Sequence, residues 1–199
     1  MAGKTFRLKR GFYLRPTLEV ARDLIGKELV FENGGKRLAA RLMEVEAYIG
    51  EDDPACHAAV GPTDRNRVMY GRGGFSYIYF IYGMYYCLNV VTEKAGFPAA
   101  VLIRGAVPLE GIEIMKSHFD QPCSGRLTDG PGKLCRAFGL TREHNGLDLV
   151  NGPLYLIDSG YEPSGIEHSG RIGIKKGTGR LWRFFEPSDH ISVKRVKTV

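Results

Sequence analysis

The chain holds four cysteines in 199 residues, Cys56, Cys87, Cys123 and Cys135, with no CxxC pair among them. A structural zinc site draws on closely spaced ligand pairs, and the neighbours Cys56 and His57 have no second pair to complete one. No metal is therefore expected. Unpatterned thiols fit a reducing compartment. A secretory signal is also missing, because Met1 to Leu14 is basic and carries no apolar run. The most apolar stretch, Phe75 to Val91, is too short to span a membrane, carries five tyrosines and is split by Gly83. A soluble hairpin explains it better. Gly130-Pro131-Gly132-Lys133 lacks the spacing of a triphosphate-binding loop, since Leu134 follows the lysine. It still offers backbone N–H groups and Lys133 to a single phosphate. Repeats, low-complexity tracts and linkers are absent, so one domain over 1–199 is expected.

What is present is ordinary in bulk and unusual in places. A hydrophobic share of 43% against 25% charged residues excludes disorder as the default. The formal charge of +6 suits a polyanionic partner, either nucleic acid or an anionic surface. Basic residues gather at Lys4, Arg7, Lys9 and Arg10, and again from Lys175 to Lys197.

Apolar spacing predicts a short helix over Pro16 to Leu24, capped by Thr17. Strands are expected at Glu28 to Phe31 and Lys36 to Tyr48, joined by the turn Asn33-Gly34-Gly35. Further strands are expected at Ser76 to Ile81, from the turn at Tyr82-Gly83 through Val91, at Ala99 to Ile103, at Tyr155 to Asp158 and at Ile191 to Val196. Helices are expected at Leu109 to Met115 and Gly132 to Phe138. Asp64 to Met69 and Gly71 to Gly74 read as loop. The class is α+β: a curved antiparallel sheet with flanking helices and a protruding hairpin.

Three features invite chemistry. Residues two apart on a strand share a face, so Glu44, Glu46 and Tyr48 project together. Two carboxylates beside a ring suit an active-site wall; a solvent face on an edge strand is the plainer alternative. The Tyr-rich hairpin ends in Ile81, Tyr82, Gly83 and Met84, a poor solvated turn and a good wedge for a base stack, unless the turn is covered. Arg65-Asn66-Arg67 places positive charge just upstream, where it suits phosphate contact.

Several blocks in order carry a resemblance. They are Glu44 to Gly50, Arg65 to Arg67, Tyr77 to Tyr85, Asn89, Val101 to Arg104, Pro108 to Gly111, Gly130 to Cys135 and Arg171 to Ile174. From about Phe12 to Val196 the chain resembles the alkyladenine DNA glycosylase family, the mammalian type of 3-methyladenine DNA glycosylase, as a compact bacterial-style member. The resemblance implies that Glu46 is the general base and that Arg104 helps hold the nucleophilic water, with the Ile172 carbonyl as a further acceptor. It implies that Tyr48, His57 and Tyr79 sandwich a flipped base and that Asn89 meets the 2-amino group of guanine. Tyr82 would wedge into the helix, with Met84, Tyr85, Arg65, Arg67 and Lys133 beside it on DNA. The implied partner is double-stranded DNA carrying damaged purines. A cytoplasmic monomer is expected, at the nucleoid in a bacterium, with no cofactor and no membrane. The loop His57 to Met69 is one residue shorter than in the mammalian form, and Lys116 to Asp129 is compressed, so DNA contacts outside the pocket are open. A non-catalytic reader of damaged DNA is the alternative; Glu46 and Arg104 argue against it.

Overall fold

Period-two alternation through the first half of the chain folds as antiparallel sheet, in a computed structural model that describes residues 5–121 and 126–187. The elements are β1 (Phe6–Arg7), α1 (Arg10–Tyr13), α2 (Thr17–Leu24), β2 (Glu28–Asn33), β3 (Lys36–Ile49), β4 (Ser76–Ile81), β5 (Tyr85–Val91), β6 (Ala99–Glu110), α3 (Ile112–Ser117), α4 (Pro131–Ala137), β7 (Leu154–Asp158), β8 (Glu167–Ser169) and β9 (Arg183–Phe185). The sheet runs β1-β7-β2-β3-β6-β5-β4, with β9 added to β3 and β8 to β9. The class is α+β, as expected. Among the described residues no helix is long and apolar enough to cross a membrane.

The long strand β3 organises the layers. Val45 and Ala47, on one of its faces, are fully buried in an apolar cluster with Val20, Ala21 and Leu24 of α2 and Leu134 of α4. The other face carries Glu44, Glu46 and Tyr48. Because β3 has β6 along one side and β2 or β9 along the other, the edge-strand alternative fails: Glu44 and Glu46 are both buried.

Local signals account for most boundaries. β2 turns into β3 across Gly34 and Gly35, both at positive φ, the two-residue geometry that suits the twist of a hairpin. α4 opens on Pro131 at its first turn. α2 begins at Thr17, but Thr17 does not cap it. Glu93, from the β5–β6 connection, accepts the Thr17 N–H at 3.0 Å and its hydroxyl at 2.6 Å.

Two further expectations need correction, and one lies beyond test. β6 does not yield to a helix at Leu109; it runs on to Glu110, and α3 starts only at Ile112. Pro108 is tolerated inside the strand because it lies at a register shift opposite Ala40, beyond the stretch where β5 pairs with β6. The supposed loop at Asp64 to Met69 contains a 3₁₀ turn over Arg67–Tyr70. The strand expected at Ile191 to Val196 lies outside the described residues.

Gly111 makes the β6–α3 corner possible, at φ 73°. A Cβ there would sit 2.7 Å from the Arg37 carbonyl. Gly111→Ala should therefore cost about 1–3 kcal/mol, read by urea denaturation, and a change below about 0.5 kcal/mol, the scatter of neutral surface substitutions, would show that the corner relaxes freely.

Candidate active site

β3 changes partner halfway along its length. Lys36 to Arg41 pair with β2; Glu44 to Glu46 pair with β9. Register shifts between Leu42 and Val45 mark the changeover, as bulges do where a strand must re-aim its side chains. The result is a straight row across the sheet. Tyr77 lies opposite Asn89, Asn89 opposite Leu102, Leu102 opposite Glu46, and Glu46 opposite Arg183. Directly opposed residues share a face, so five strands present one residue each to the same site.

Glu46 has no solvent exposure. The Tyr48 hydroxyl donates to its Oε2 at 2.7 Å, and the Ile172 backbone N–H donates to its Oε1 at 2.7 Å. Arg104 Nε lies 3.4 Å from the same Oε1. Burial pushes the Glu46 carboxyl above the ordinary carboxylate range, against the pull of Arg104, the Ile172 N–H and the Tyr48 hydroxyl. Each carboxylate oxygen has two lone pairs, so Oε2 keeps one for a further donor. Glu44 stands behind, accepting from Arg104 Nε at 3.0 Å and from the buried Arg183 Nε at 2.6 Å.

A cavity of about 500 Å³ opens beside this cluster, and Tyr48, His57, Tyr77, Tyr79, Asn89 and Arg104 all line it. The His57 and Tyr79 rings meet edge to face with centroids 4.4 Å apart. His57 Nδ1 is 2.8 Å from the Tyr77 hydroxyl. Burial, with some help from Arg65, pulls His57 down to about 4, so the ring is neutral at physiological pH. Asn89 spends its amide N–H groups on the Tyr77 carbonyl at 3.0 Å and the Cys87 carbonyl at 3.4 Å. Its carbonyl oxygen is the group left for a ligand.

The hairpin tip stands clear of this cavity's floor. Tyr82 is 78% exposed and Met84 64%, with Tyr85 also exposed. The turn is therefore not covered. Tyr82 sits at φ 54° and Gly83 at φ 68°, with the Met84 N–H 3.3 Å from the Ile81 carbonyl. A bulky residue at positive φ is strained. Tyr82, Tyr85 and Lys133 reach the cavity rim.

The basic residues are less free than their sequence suggests. Arg65 donates to the Phe80 carbonyl at 3.1 Å and lies 5.3 Å from the Tyr79 ring centre, bracing the hairpin. Arg67 pairs with Asp64 on the surface. Lys133 pairs with Asp129 at 2.7 Å. Ile172 is in place, but the group seen at Glu46 is its N–H and not its carbonyl. Cys56 Sγ accepts the Ala58 N–H at 3.5 Å, and among the described residues no group of three or more His, Cys, Asp or Glu is placed to hold a metal ion.

Several residues of the site carried no expectation. Tyr77 stood at the head of the block Tyr77 to Tyr85 with no role assigned to it. Asn66, inside the Arg65-Asn66-Arg67 block, organises the loop after His57 by donating to the His57 carbonyl at 2.8 Å and the Gly61 carbonyl at 2.9 Å. Arg183 and the ion pair of Arg171 with Asp53 join positions more than a hundred residues apart, which no local pattern reveals.

An aromatic slot, a desolvated carboxylate beside it and an exposed apolar finger above it define a class, that of DNA glycosylases. More particularly, the chain belongs to the methylpurine-DNA glycosylase family: the family model described as Methylpurine-DNA glycosylase (MPG) matches residues 11–190. Curated relatives agree. The chain is 50% identical over 193 residues to a protein of Methanocella arvoryzae, covering 94% of this chain and 96% of that one. It is 52% identical over 177 residues to one from Wolbachia sp. subsp. Brugia malayi, covering 89% and 95%. It is 45% identical over 201 residues to one from Desulfitobacterium hafniense, covering 94% and 99%. Each is named "Putative 3-methyladenine DNA glycosylase".

Glu44 holds two arginines, one of them almost fully buried. Glu44→Gln would leave those charges without their carboxylate, at a cost of roughly 3–5 kcal/mol. Adding Arg183→Met should recover most of that loss. Equal stability of the single and double variants by urea denaturation would remove the pair from this account.

Proposed function

We propose that this enzyme extrudes alkylated or deaminated purines from double-stranded DNA and hydrolyses their N-glycosidic bond with a water activated by Glu46. The substrates are 3-methyladenine, 7-methylguanine, hypoxanthine and ethenoadenine; the names of the relatives support the first. The observation that carries the reading is a wholly buried carboxylate, held by two hydrogen-bond donors and an arginine 3.4 Å away, directly behind Tyr48, Arg104 and Ile172 in the wall of an aromatic cavity roomy enough for a purine.

The chemistry follows from the groups. Glycosidic cleavage passes through an oxocarbenium-like sugar. Glu46 takes the proton of the attacking water through the free lone pair of Oε2, and its charge stabilises the cation that develops. Arg104, hydrogen-bonded to Glu44 through Nε and paired electrostatically with Glu46, holds the water and the backbone of the extruded nucleotide with its remaining N–H groups. Alkylation at N3 or N7 makes the purine cationic and a good leaving group. Hypoxanthine leaves neutral and needs protonation at a ring nitrogen.

Binding energy comes from the slot. Base stacking on aromatic rings contributes about 1–3 kcal/mol per contact, comparable to the few kcal/mol that extrusion costs. Neutral His57 stacks without repelling a cationic base. Tyr82 fills the space that the base leaves. No metal and no organic cofactor takes part, and the enzyme acts as a monomer.

A reader of damaged DNA without catalysis would use the slot and the finger but gains nothing from a desolvated carboxylate. Glu46→Gln separates the two. It should keep lesion-duplex affinity and lose single-turnover base release by several orders of magnitude, the scale of removing a catalytic base within a working unit. In the parent enzyme the acid limb of release should lie above the ordinary carboxylate range. The sign follows from burial: a raised Glu46 requires higher pH before the base form predominates. Normal release by Glu46→Gln sinks the assignment.

The finger generates its own test. Asparagine adopts the left-handed region more readily than tyrosine, so Tyr82→Asn should hold or raise the melting temperature. If Tyr82 is a wedge, the same change weakens duplex binding and lowers extrusion, seen with 2-aminopurine beside the lesion. The loss should shrink on single-stranded lesions, where less stacking is broken. Early melting with unaltered fluorescence would mark Tyr82 as structural.

A further inference from the structure

A buried ion pair that lines no part of the cavity joins three segments of the site. The side chains of Asp53 and Arg171 have no exposure, and Arg171 donates to Oδ2 at 2.5 Å and Oδ1 at 2.7 Å. The Arg171 guanidinium also donates to the Ala47 carbonyl at 2.9 Å, on β3 between Glu46 and Tyr48. Its centre lies 4.6 Å from the Tyr48 ring centre. Tyr48 lines the cavity and Arg171 does not, so the guanidinium meets the ring from outside the cavity. The residue following Arg171 is Ile172, whose N–H is bonded to Glu46. On the other side of the pair, Asp53 accepts the N–H groups of Ala55 at 3.2 Å and Ile49 at 3.4 Å. Those bonds shape the loop that ends at His57.

A buried pair of this kind is a weak source of stability, because well-packed apolar residues of the same volume often do as well. An apolar pair cannot reproduce a flat fork that meets a carboxylate, a carbonyl and a ring at once. We propose that the Asp53–Arg171 pair is the positioning element of the site: Arg171 braces the Tyr48 ring and holds the Ile172 N–H on Glu46, while Asp53 holds the loop that brings His57 to the cavity.

The role at Glu46 rests on the reading of Glu46 as the base. The groups that face this carboxylate are Glu44 and Tyr48 from β3, Tyr79 from β4, Arg104 from β6, Arg183 from β9, and Arg171 with the Ile172 N–H from the segment before β9. Removing the pair takes away the Arg171 charge that acts on Glu46 and releases the Ile172 N–H, while loss of the Asp53 charge, which lies beyond the guanidinium, offsets only part of this. The balance favours the protonated acid, so the acid limb of base release moves to higher pH.

The test uses the full chain with Asp53→Asn/Arg171→Met, Arg171→Lys and Glu46→Gln. Release of 3-methyladenine from methylated duplex DNA is followed in single turnover across pH, alongside melting temperature and lesion-duplex affinity. The double variant leaves no buried charge orphaned, since Arg180, 3.7 Å from Asp53, is a third exposed, and it should stay folded. It should release base ~100-fold more slowly, the scale of a small misplacement of reacting groups. Its acid limb should rise by about one unit, a tenfold change in the ionised fraction. Arg171→Lys keeps the charge opposite Asp53 and loses the flat fork; it should weaken lesion affinity and slow release at an unchanged melting temperature. Parent-like rate, affinity and acid limb in both sets overturn the proposal. A loss that tracks melting temperature with the limb in place overturns it equally, since that is the mark of a merely structural pair. Normal release by Glu46→Gln overturns the reading of Glu46 instead, and the affinity of Arg171→Lys then decides the bracing of Tyr48 by itself.

Discussion

An ionised carboxylate taken out of water loses several kcal/mol of hydration unless donors replace it. Glu46 is in that position, and the surrounding architecture supplies the donors. One comes from its own strand as the Tyr48 hydroxyl and one from a segment far along the chain as the Ile172 N–H, while β6 adds the positive charge of Arg104 at 3.4 Å. The change of partner from β2 to β9 is what closes the last side. With β2 alone alongside β3, Glu46 would sit beyond the last paired residue, Arg41, and face solvent. The sheet is built around a charge as much as around its apolar cluster.

The opposite requirement governs the aromatic side. A slot for a flat base must be apolar and rigid, yet its walls carry hydroxyls and an imidazole. The structure satisfies these groups among themselves. Tyr77 answers His57, Tyr48 answers Glu46, and Asn89 answers two backbone carbonyls. Burial keeps His57 uncharged. A neutral ring can stack on a cationic base at no electrostatic penalty, and the acid and aromatic halves of the site stay distinct although they share Tyr48.

Legibility in the sequence followed the range of the interactions. Alternation in Arg41 to Tyr48 marked β3 and put Glu44, Glu46 and Tyr48 on one face, because a strand's period is local. Glycines 34 and 35 marked the first hairpin for the same reason. Resemblance supplied His57, Tyr79 and Asn89, and the cavity brings all three together. Pro108 misled, since a proline inside a strand is tolerated where no neighbour needs its N–H. β9 was invisible: Arg183-Phe184-Phe185 is too short to show a period, and its pairing with β3 spans the chain. Asp53 and Arg171 each look like surface charges until the fold puts them together. Lys133, Arg65 and Arg67 carry the pattern of phosphate contacts, and the structure also gives each an internal partner.

The closing of β3 by β9 also sets an order of events during synthesis. Glu46 emerges early, but its Ile172 partner lies 126 residues later and the Arg183 partner of Glu44 lies 139 residues later. Contacts of such separation form late, because loop closure must come first. A nascent chain that has completed the helices and the Tyr-rich hairpin therefore still carries a hydrated, ordinary carboxylate. The environment that raises Glu46 comes into being with the segment that carries Ile172 and with β9 after it. The Tyr-rich finger is local and can form early, whereas Arg171, which braces Tyr48 and pairs with Asp53, arrives 118 residues after Asp53, so a ribosome-bound chain can hold a finger before it holds either slot or catalyst.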